Sequence, residues 1–201
     1  SGPIAGKNAI DFDGLDDHVR IPFDAALNPS TFTVEFWAIV EGGANTNRMA
    51  VSTLNVNPAD GGYEVGVSST NRWTFRTSMH TTSDELAGPA IVLNRLTHVA
   101  AKFTAIGNAD ANGVFSGTMS LYVDGQLVAT KAGSYKRGIG TNNALLIGGT
   151  GLSSGIQSPF HGVIDEVRVW NTARTDLEIN SNFRSTVSPS ATGLVGYYRL
   201  D

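Results

Sequence analysis

The chain has 201 residues, 41% of them hydrophobic, with 23 Gly, 7 Pro and no Cys. That is enough apolar material for one core of the size all-β sandwiches use, and the lack of Cys excludes disulfides, thiolate metal sites and cysteine nucleophiles. A formal net charge of −4 argues against nucleic acid as a partner, because phosphate binding calls for a basic surface, and no apolar run approaches the length of a membrane span.

The opening Ser1-Gly2-Pro3-Ile4 lacks a basic head followed by an apolar stretch, so no signal peptide is expected in it. Residues 9–12 and 18–21 read as strands. Between 33 and 39, Val34, Phe36 and Ala38 alternate with Thr33, Glu35, Trp37 and Ile39, the period-2 pattern of a half-buried strand. Residues 49–53 read as another strand. Tyr63, Val65 and Val67 then share a face, Trp73 and Phe75 share one opposite Arg72, Thr74 and Arg76, and Val99, Ala101 and Phe103 share a third.

A long polar stretch over 107–117 reads as a loop, a kind of segment that carries function more often than it holds a fold. Met119, Leu121 and Val123 follow on one face and lead into Asp124-Gly125, a two-residue hairpin signal ahead of a strand over 127–130. Further strands are expected at 144–147, 160–170 and 194–200, with a polar loop at 150–158. One helix has a mechanism behind it: Thr175-Asp176-Leu177-Glu178 is a capping box, so about two turns should follow. Roughly a dozen strands separated by Gly, Asn, Asp and Ser turns predict an all-β, two-sheet antiparallel sandwich with one short helix in its C-terminal half. The whole of 1–201 reads as one domain, with 193–201 either its closing strand or the start of a next module.

Three segments in order resemble the laminin-G-like jelly-roll family of the concanavalin A-like superfamily. They are Ile10-Asp-Phe-Asp-Gly-Leu-Asp-Asp-His-Val19 followed by Phe32-Thr-Val-Glu-Phe-Trp37; Ser120-Leu-Tyr-Val-Asp-Gly-Gln-Leu-Val128; and Leu146-Ile-Gly148 followed by Phe160-His-Gly-Val-Ile-Asp-Glu-Val-Arg-Val-Trp-Asn171 with the capped helix. The resemblance spans nearly the whole chain. It implies two curved antiparallel sheets, frequent calcium binding, and recognition of glycans or proteins in secreted and surface molecules.

Acidic residues carry most of the chemistry. Asp11, Asp13, Asp16 and Asp17 crowd around Gly14, and like charges so close repel unless they are exposed, hydrogen-bonded or neutralised by a cation. Two readings stand: a turn whose Asp side chains bond their own backbone, or a site for Ca²⁺, which takes hard oxygen ligands. In an unbroken strand Asp165 shares a face with Val163, Val167 and Val169, so it points at the core and needs a partner: a cation, backbone N–H groups, or Arg20. Asp13, Asp17 and Asp165 are therefore the candidate metal ligands, with Ca²⁺ as the cofactor, joining the first and penultimate strands. Glu166 and Arg168 read as a surface pair.

The candidate ligand residues are Arg72, Arg76 and Glu64 on the polar face of neighbouring strands, and Asn108, Asp110 and Asn112 on a loop rim. Trp73 reads as core; Trp37 and Trp170 are open between core and sugar-stacking roles. Glycoside hydrolysis needs two carboxylates at a set separation. The six Glu are scattered and the Glu-x-Asp-x-x-Glu pattern of the superfamily's β-glucan hydrolases is absent. The four His form no zinc motif. The expectation is a non-catalytic, calcium-dependent, lectin-like or adhesive module, part of a larger secreted or surface protein, that binds a glycan or protein ligand without nucleic acid and without membrane insertion. The alternatives are a structural spacer in a tandem array and, third, a glycoside hydrolase.

Overall fold

The computed structural model describes residues 9–54, 61–79, 82–151 and 155–200. Thirteen strands, one short 3-10 turn and one α-helix follow in order: β1 Ile10–Asp13, β2 Val19–Ile21, β3 Phe32–Val40, β4 Arg48–Ser52, β5 Tyr63–Val67, β6 Arg72–Met79, β7 Thr82–Ala90, β8 Leu96–Ala105, β9 Val114–Val123, β10 Gln126–Lys136, β11 Leu145–Ile147, β12 His161–Trp170, α1 Asp176–Asn182 and β13 Leu194–Tyr198. They form the two antiparallel sheets of a sandwich. The larger has the order β1-β12-β3-β8-β9-β10, with β13 also on β12; the smaller runs β2-β11-β4-β5-β6-β7. β1 pairs with the first half of β12 and β13 with the second, so Leu194–Tyr198 completes the edge that β1 begins.

The core lies between the sheets, where the alternating residues put it. Phe32, Val34 and Phe36 of β3 meet Tyr63, Val65 and Phe75 across the gap, all fully buried. Phe32 stacks on Tyr63 with ring centroids 4.4 Å apart and meets Tyr135 edge-on at 5.2 Å. Each buried aromatic side chain contributes about 2–3 kcal/mol by leaving water. At one open side, Lys131 Nζ and the Ser134 N–H of β10 both bond the Asp84 carboxylate of β7, tying the last strands of the two sheets together.

Several elements depart from the sequence reading. β7 was not expected: in Thr82–Ala90 only Leu86 and Gly88 are fully buried, too few apolar positions to show a period. The strand after the 107–117 stretch begins at Val114, and β10 runs on to Lys136, well past residue 130. β12 is not regular. Its register against β3 shifts between Asp165 and Arg168, with Glu166 at φ +53°, a β-bulge that places two residues opposite one. The hairpin and helix are as expected. Asp124 and Gly125 have φ of +49° and +77°, as a type I′ turn requires. The Thr175 side chain accepts from the Glu178 N–H while Glu178 accepts from the Thr175 N–H.

Antiparallel pairing sorts the loops into two ends. Residues 14–18, 41–47, 68–71 and 91–95 lie at one end with the Asp124-Gly125 turn, and residues 106–113 lie at the other.

Candidate functional site

The outward faces of the two sheets have different fates. On the larger sheet, α1 and the segment after it lie over β3, β8 and β12, so that polar residues there are buried. Glu35 is 1% exposed, beside His98, Arg168 and Arg174. Its Oε1 accepts from Trp170 Nε1 and Arg174 Nη1, each at 3.0 Å, and Arg168 Nη1 lies 3.7 Å away. His98 Nε2 stands 3.6 Å from Oε2. Burial pushes the Glu35 carboxyl up, but His98, Arg174 and Arg168 override it and hold it at about 2. Arg174 also lies over the Trp170 ring at 4.2 Å. Trp37, buried, donates to the Phe183 carbonyl and stacks on the Phe183 ring. Both tryptophans left open by the sequence therefore pack within this layer, and Trp170 also borders a cavity of about 360 Å³ with Thr172, Arg174 and Asn182.

The bulge in β12 corrects two expectations. Asp165 pairs with Trp37 on the outward face, while Val167 and Val169 enter the core. Asp165 therefore does not share a face with them, and its Oδ1 accepts from the Glu166 N–H at 2.8 Å. Arg20 lies in the other sheet, exposed on β2. Glu166 and Arg168 do pair, but not at the surface: both are buried, Arg168 Nη2 donates to Glu166 Oε2 at 2.5 Å, and Tyr197 of β13 donates to the same oxygen at 2.6 Å.

On the smaller sheet the outward face is partly open. The chain after β11 covers its β4 side, where Thr150 Oγ1 meets Ser52 Oγ at 2.8 Å. Toward β7 a row crosses three strands in register, Glu64 to Arg76 to Glu85. Arg76 Nη1 bonds Glu64 at 2.7 Å and its Nη2 reaches Glu85 at 3.4 Å; Thr74 Oγ1 donates to the other Glu85 oxygen at 3.0 Å. Glu64 is 2% exposed in its side chain, Arg76 24% and Glu85 42%, so the row emerges from the sheet at Arg76. Burial raises the Glu64 pKa, against the lowering effect of Arg76. Arg72 lies exposed at the start of the same strand. The structure thus brings Glu64 and Arg76 together, with Arg72 on their face. It adds Glu85, whose place sequence spacing hid because β7 was not recognised, and bonds it to Thr74, which the alternation of β6 already set on the face of Arg72 and Arg76.

Asn108, Asp110 and Asn112 are exposed at the opposite end from the acidic turn. Asp110 Oδ1 accepts from the N–H groups of Asn112 and Val114 at 2.8 and 2.9 Å, closing the loop on itself.

At the end where β1 turns into β2, carboxylate oxygens of Asp13, Asp16 and Asp17 lie within 4.8 Å of one another, all exposed. Asp13 Oδ1 accepts from the Leu15 N–H at 2.8 Å and Asp17 Oδ2 from the Asp13 N–H at 3.1 Å. The turn therefore orders the same carboxylates it crowds, and three oxygen donors so spaced suit a hard cation. Asp165 is not among them. Asp13 faces His161 across the ladder, and Asp165 is four residues further along β12, about 13 Å at strand rise. His80 lies outside the described residues. No helix among the described residues is long and apolar enough to cross a membrane.

Comparison with known proteins agrees with this architecture. Mouse pappalysin-1 is 26% identical over 204 residues, covering 91% of this chain and 11% of that protein. A Bacteroides ovatus protein provisionally named as carbohydrate-binding has the same fold, with a TM-score of 0.65 at 22% identity over 97% of this chain and 52% of its own. Domain 4 of the extracellular arabinanase AbnA from Geobacillus stearothermophilus, solved with arabinotriose, superposes with a TM-score of 0.61 at 18% identity, covering 92% of this chain and 80% of the other. The chain thus spans about a ninth of the first and half of the second. A laminin-G-type family model matches residues 12–180, and the chain belongs to that family, the concanavalin A-like lectin/glucanases superfamily.

Proposed function

We propose that this chain is a non-catalytic, lectin-like module of a larger extracellular protein and that it binds glycan on the outward face of the smaller sheet. The observation that carries the reading is the row Glu64–Arg76–Glu85 with Thr74. These donors and acceptors are held by one another in a fixed geometry on a rigid sheet, where sugar hydroxyls replace water at little ordering cost. On the larger sheet, α1 and the chain after it cover the outward face over β3, β8 and β12. Two structural relatives whose names mention carbohydrate or contain a bound oligosaccharide support the ligand class. Catalysis is disfavoured because Arg76 sits between the two carboxylates of the row and bonds both, where a hydrolase would need the substrate.

Calcium belongs to the same proposal. Asp13, Asp16 and Asp17 would hold it, and a bound Ca²⁺ would offset the repulsion among them and fix the β1–β2 turn. Glycan-array binding followed by calorimetry, with and without Ca²⁺, tests the reading. Arg76→Ala should weaken the best glycan at least tenfold while leaving the fold intact by circular dichroism. Unchanged affinity in that variant would remove the site from this face, and release of reducing sugar would overturn the non-catalytic assignment.

A further inference from the structure

Arg48, the first residue of β4, is 1% exposed and has no carboxylate within ion-pair distance among the described residues. Its guanidinium donates from Nη1 to the Gly42 carbonyl and from Nη2 to Asn71 Oδ1, both at 2.5 Å. Its Nε–H is buried without an acceptor. A charge taken out of water and met only by neutral dipoles is costly to keep, and the other buried arginines of this chain, Arg168 and Arg174, each face Glu35.

Arg48 lines a cavity of about 250 Å³ between three loops, with Gly42 and Ala44 from the β3–β4 loop, Asn71 from the β5–β6 turn, and Ile91 and Leu93 from the β7–β8 loop. Leu93 is 49% exposed at its rim and neighbouring Val92 57%. Backbone geometry holds the walls in place. Asn71, at φ +58°, turns its side chain to the guanidinium, and a Cβ on Gly43 would strike Arg48 Cδ at 2.6 Å. One unneutralised guanidinium beside an apolar rim is suited to a singly charged planar anion attached to a carbon skeleton. A doubly charged phosphate would exceed the available positive charge.

We propose that this cavity is a subsite for the carboxylate of an acidic sugar, separate from the Glu64–Arg76–Glu85 row. The proposal rests on the glycan reading for the source of the carboxylate, but not for the pocket itself. The ligand carboxylate accepts from Arg48 Nε–H, and the sugar's apolar face lies against Ile91 and Leu93. Such a site gives the module a preference for acidic over neutral chains.

The test has two parts on the full chain. In the first, the Arg48 Nε–H resonance is followed by NMR as acetate is added, with chloride at equal ionic strength as control. In the second, affinities are measured for trigalacturonate against its methyl ester and for sialyllactose against lactose. The expected results are a saturable shift of the Arg48 resonance with acetate alone, and at least tenfold tighter binding of one acidic glycan than of its neutral partner. That ratio should fall to about one in Arg48→Gln. It should also fall in Leu93→Glu, which places a competing carboxylate at an exposed rim position and keeps Arg48's own contacts. An Arg48 resonance unmoved by acetate, or acidic and neutral chains bound equally, overturns the subsite while leaving glycan binding on the sheet standing. An acetate shift with no glycan bound upholds the carboxylate pocket and overturns the glycan reading.

Discussion

Replacing Glu35 with Gln isolates the charge at the centre of the buried layer under α1. The amide keeps the size of the side chain and an oxygen able to accept from Trp170 Nε1 and Arg174 Nη1. What it removes is the negative charge facing Arg174, Arg168 and His98. With the carboxyl held at about 2 in the folded chain, against an ordinary 4.5, that charge contributes about 3 kcal/mol at neutral pH, at roughly 1.36 kcal/mol per unit of difference. The folded value lies below the unfolded one, so the contribution is complete above pH 4.5, shrinks as the pH falls between the two values, and is gone below about 2. Urea denaturation of both proteins from pH 7 down to pH 2 reads this directly. Glu35→Gln should be about 3 kcal/mol less stable at pH 7, with the gap closing steadily below pH 4.5. A variant within about 0.5 kcal/mol of the parent at pH 7, or a gap that does not narrow on acidification, would refute the electrostatic account of this layer.

Gly125→Val should cost about 2 kcal/mol or more, since φ is +77° there and a Cβ would lie 2.8 Å from the Phe183 ring; unchanged thermal melting would mean that neither the turn nor α1 constrains the position. Thr175→Ala removes the cap of α1 and should cost about 1 kcal/mol by chemical denaturation, with a shift below about 0.3 kcal/mol counting against the cap. Calcium at a hundredfold excess over its dissociation constant should stabilise the chain by about 2.7 kcal/mol. Mg²⁺ should not, because it demands a tighter octahedron. Asp17→Asn should abolish that response and Asp165→Asn should leave it intact, so loss of calcium stabilisation in Asp165→Asn would contradict the separation of the two carboxylates.

The core was legible because burial on one face of a strand writes itself into alternation. Val34, Phe36 and Ala38 of β3, and Tyr63, Val65 and Val67 of β5, all point inward as their period requires. The second face of β3 was not legible. Thr33, Glu35 and Trp37 alternate like any half-exposed strand, yet each is at most 6% exposed. What buries them is α1 and the segment after it, packed from more than a hundred residues away. Polar residues on that face satisfy one another, as Glu35 and Arg174 do, and a buried ion pair looks the same in sequence as two surface charges. β7 was hidden for a simpler reason: its outward positions hold Ser83, Glu85 and Ala87, and only Leu86 among its inward positions is a large apolar residue.

The candidate site divides along the same line. The Asp13–Asp17 turn is local, so crowding along the chain became crowding in space, with three of the carboxylates gathered. Asp165 was joined to them by an argument that assumed an unbroken strand, and one residue undid it. Glu166 at φ +53° inserts a bulge, and a single-residue slip exchanges the faces of everything beyond it. That slip carries Val167 and Val169 into the core and leaves Asp165 beside Trp37, where a backbone N–H meets its carboxylate. Arg48 is the opposite case. Nothing near it in sequence marks it, since it follows a polar loop and opens a strand as many surface arginines do. Its meaning comes from residues 23 and 45 positions further on, Asn71 and Leu93, which close a pocket around a cation and bring no anion with them. A group that the fold desolvates without neutralising cannot be read from its neighbours in the chain, because its mark is a missing partner, and a missing partner becomes visible only once the surroundings are in place.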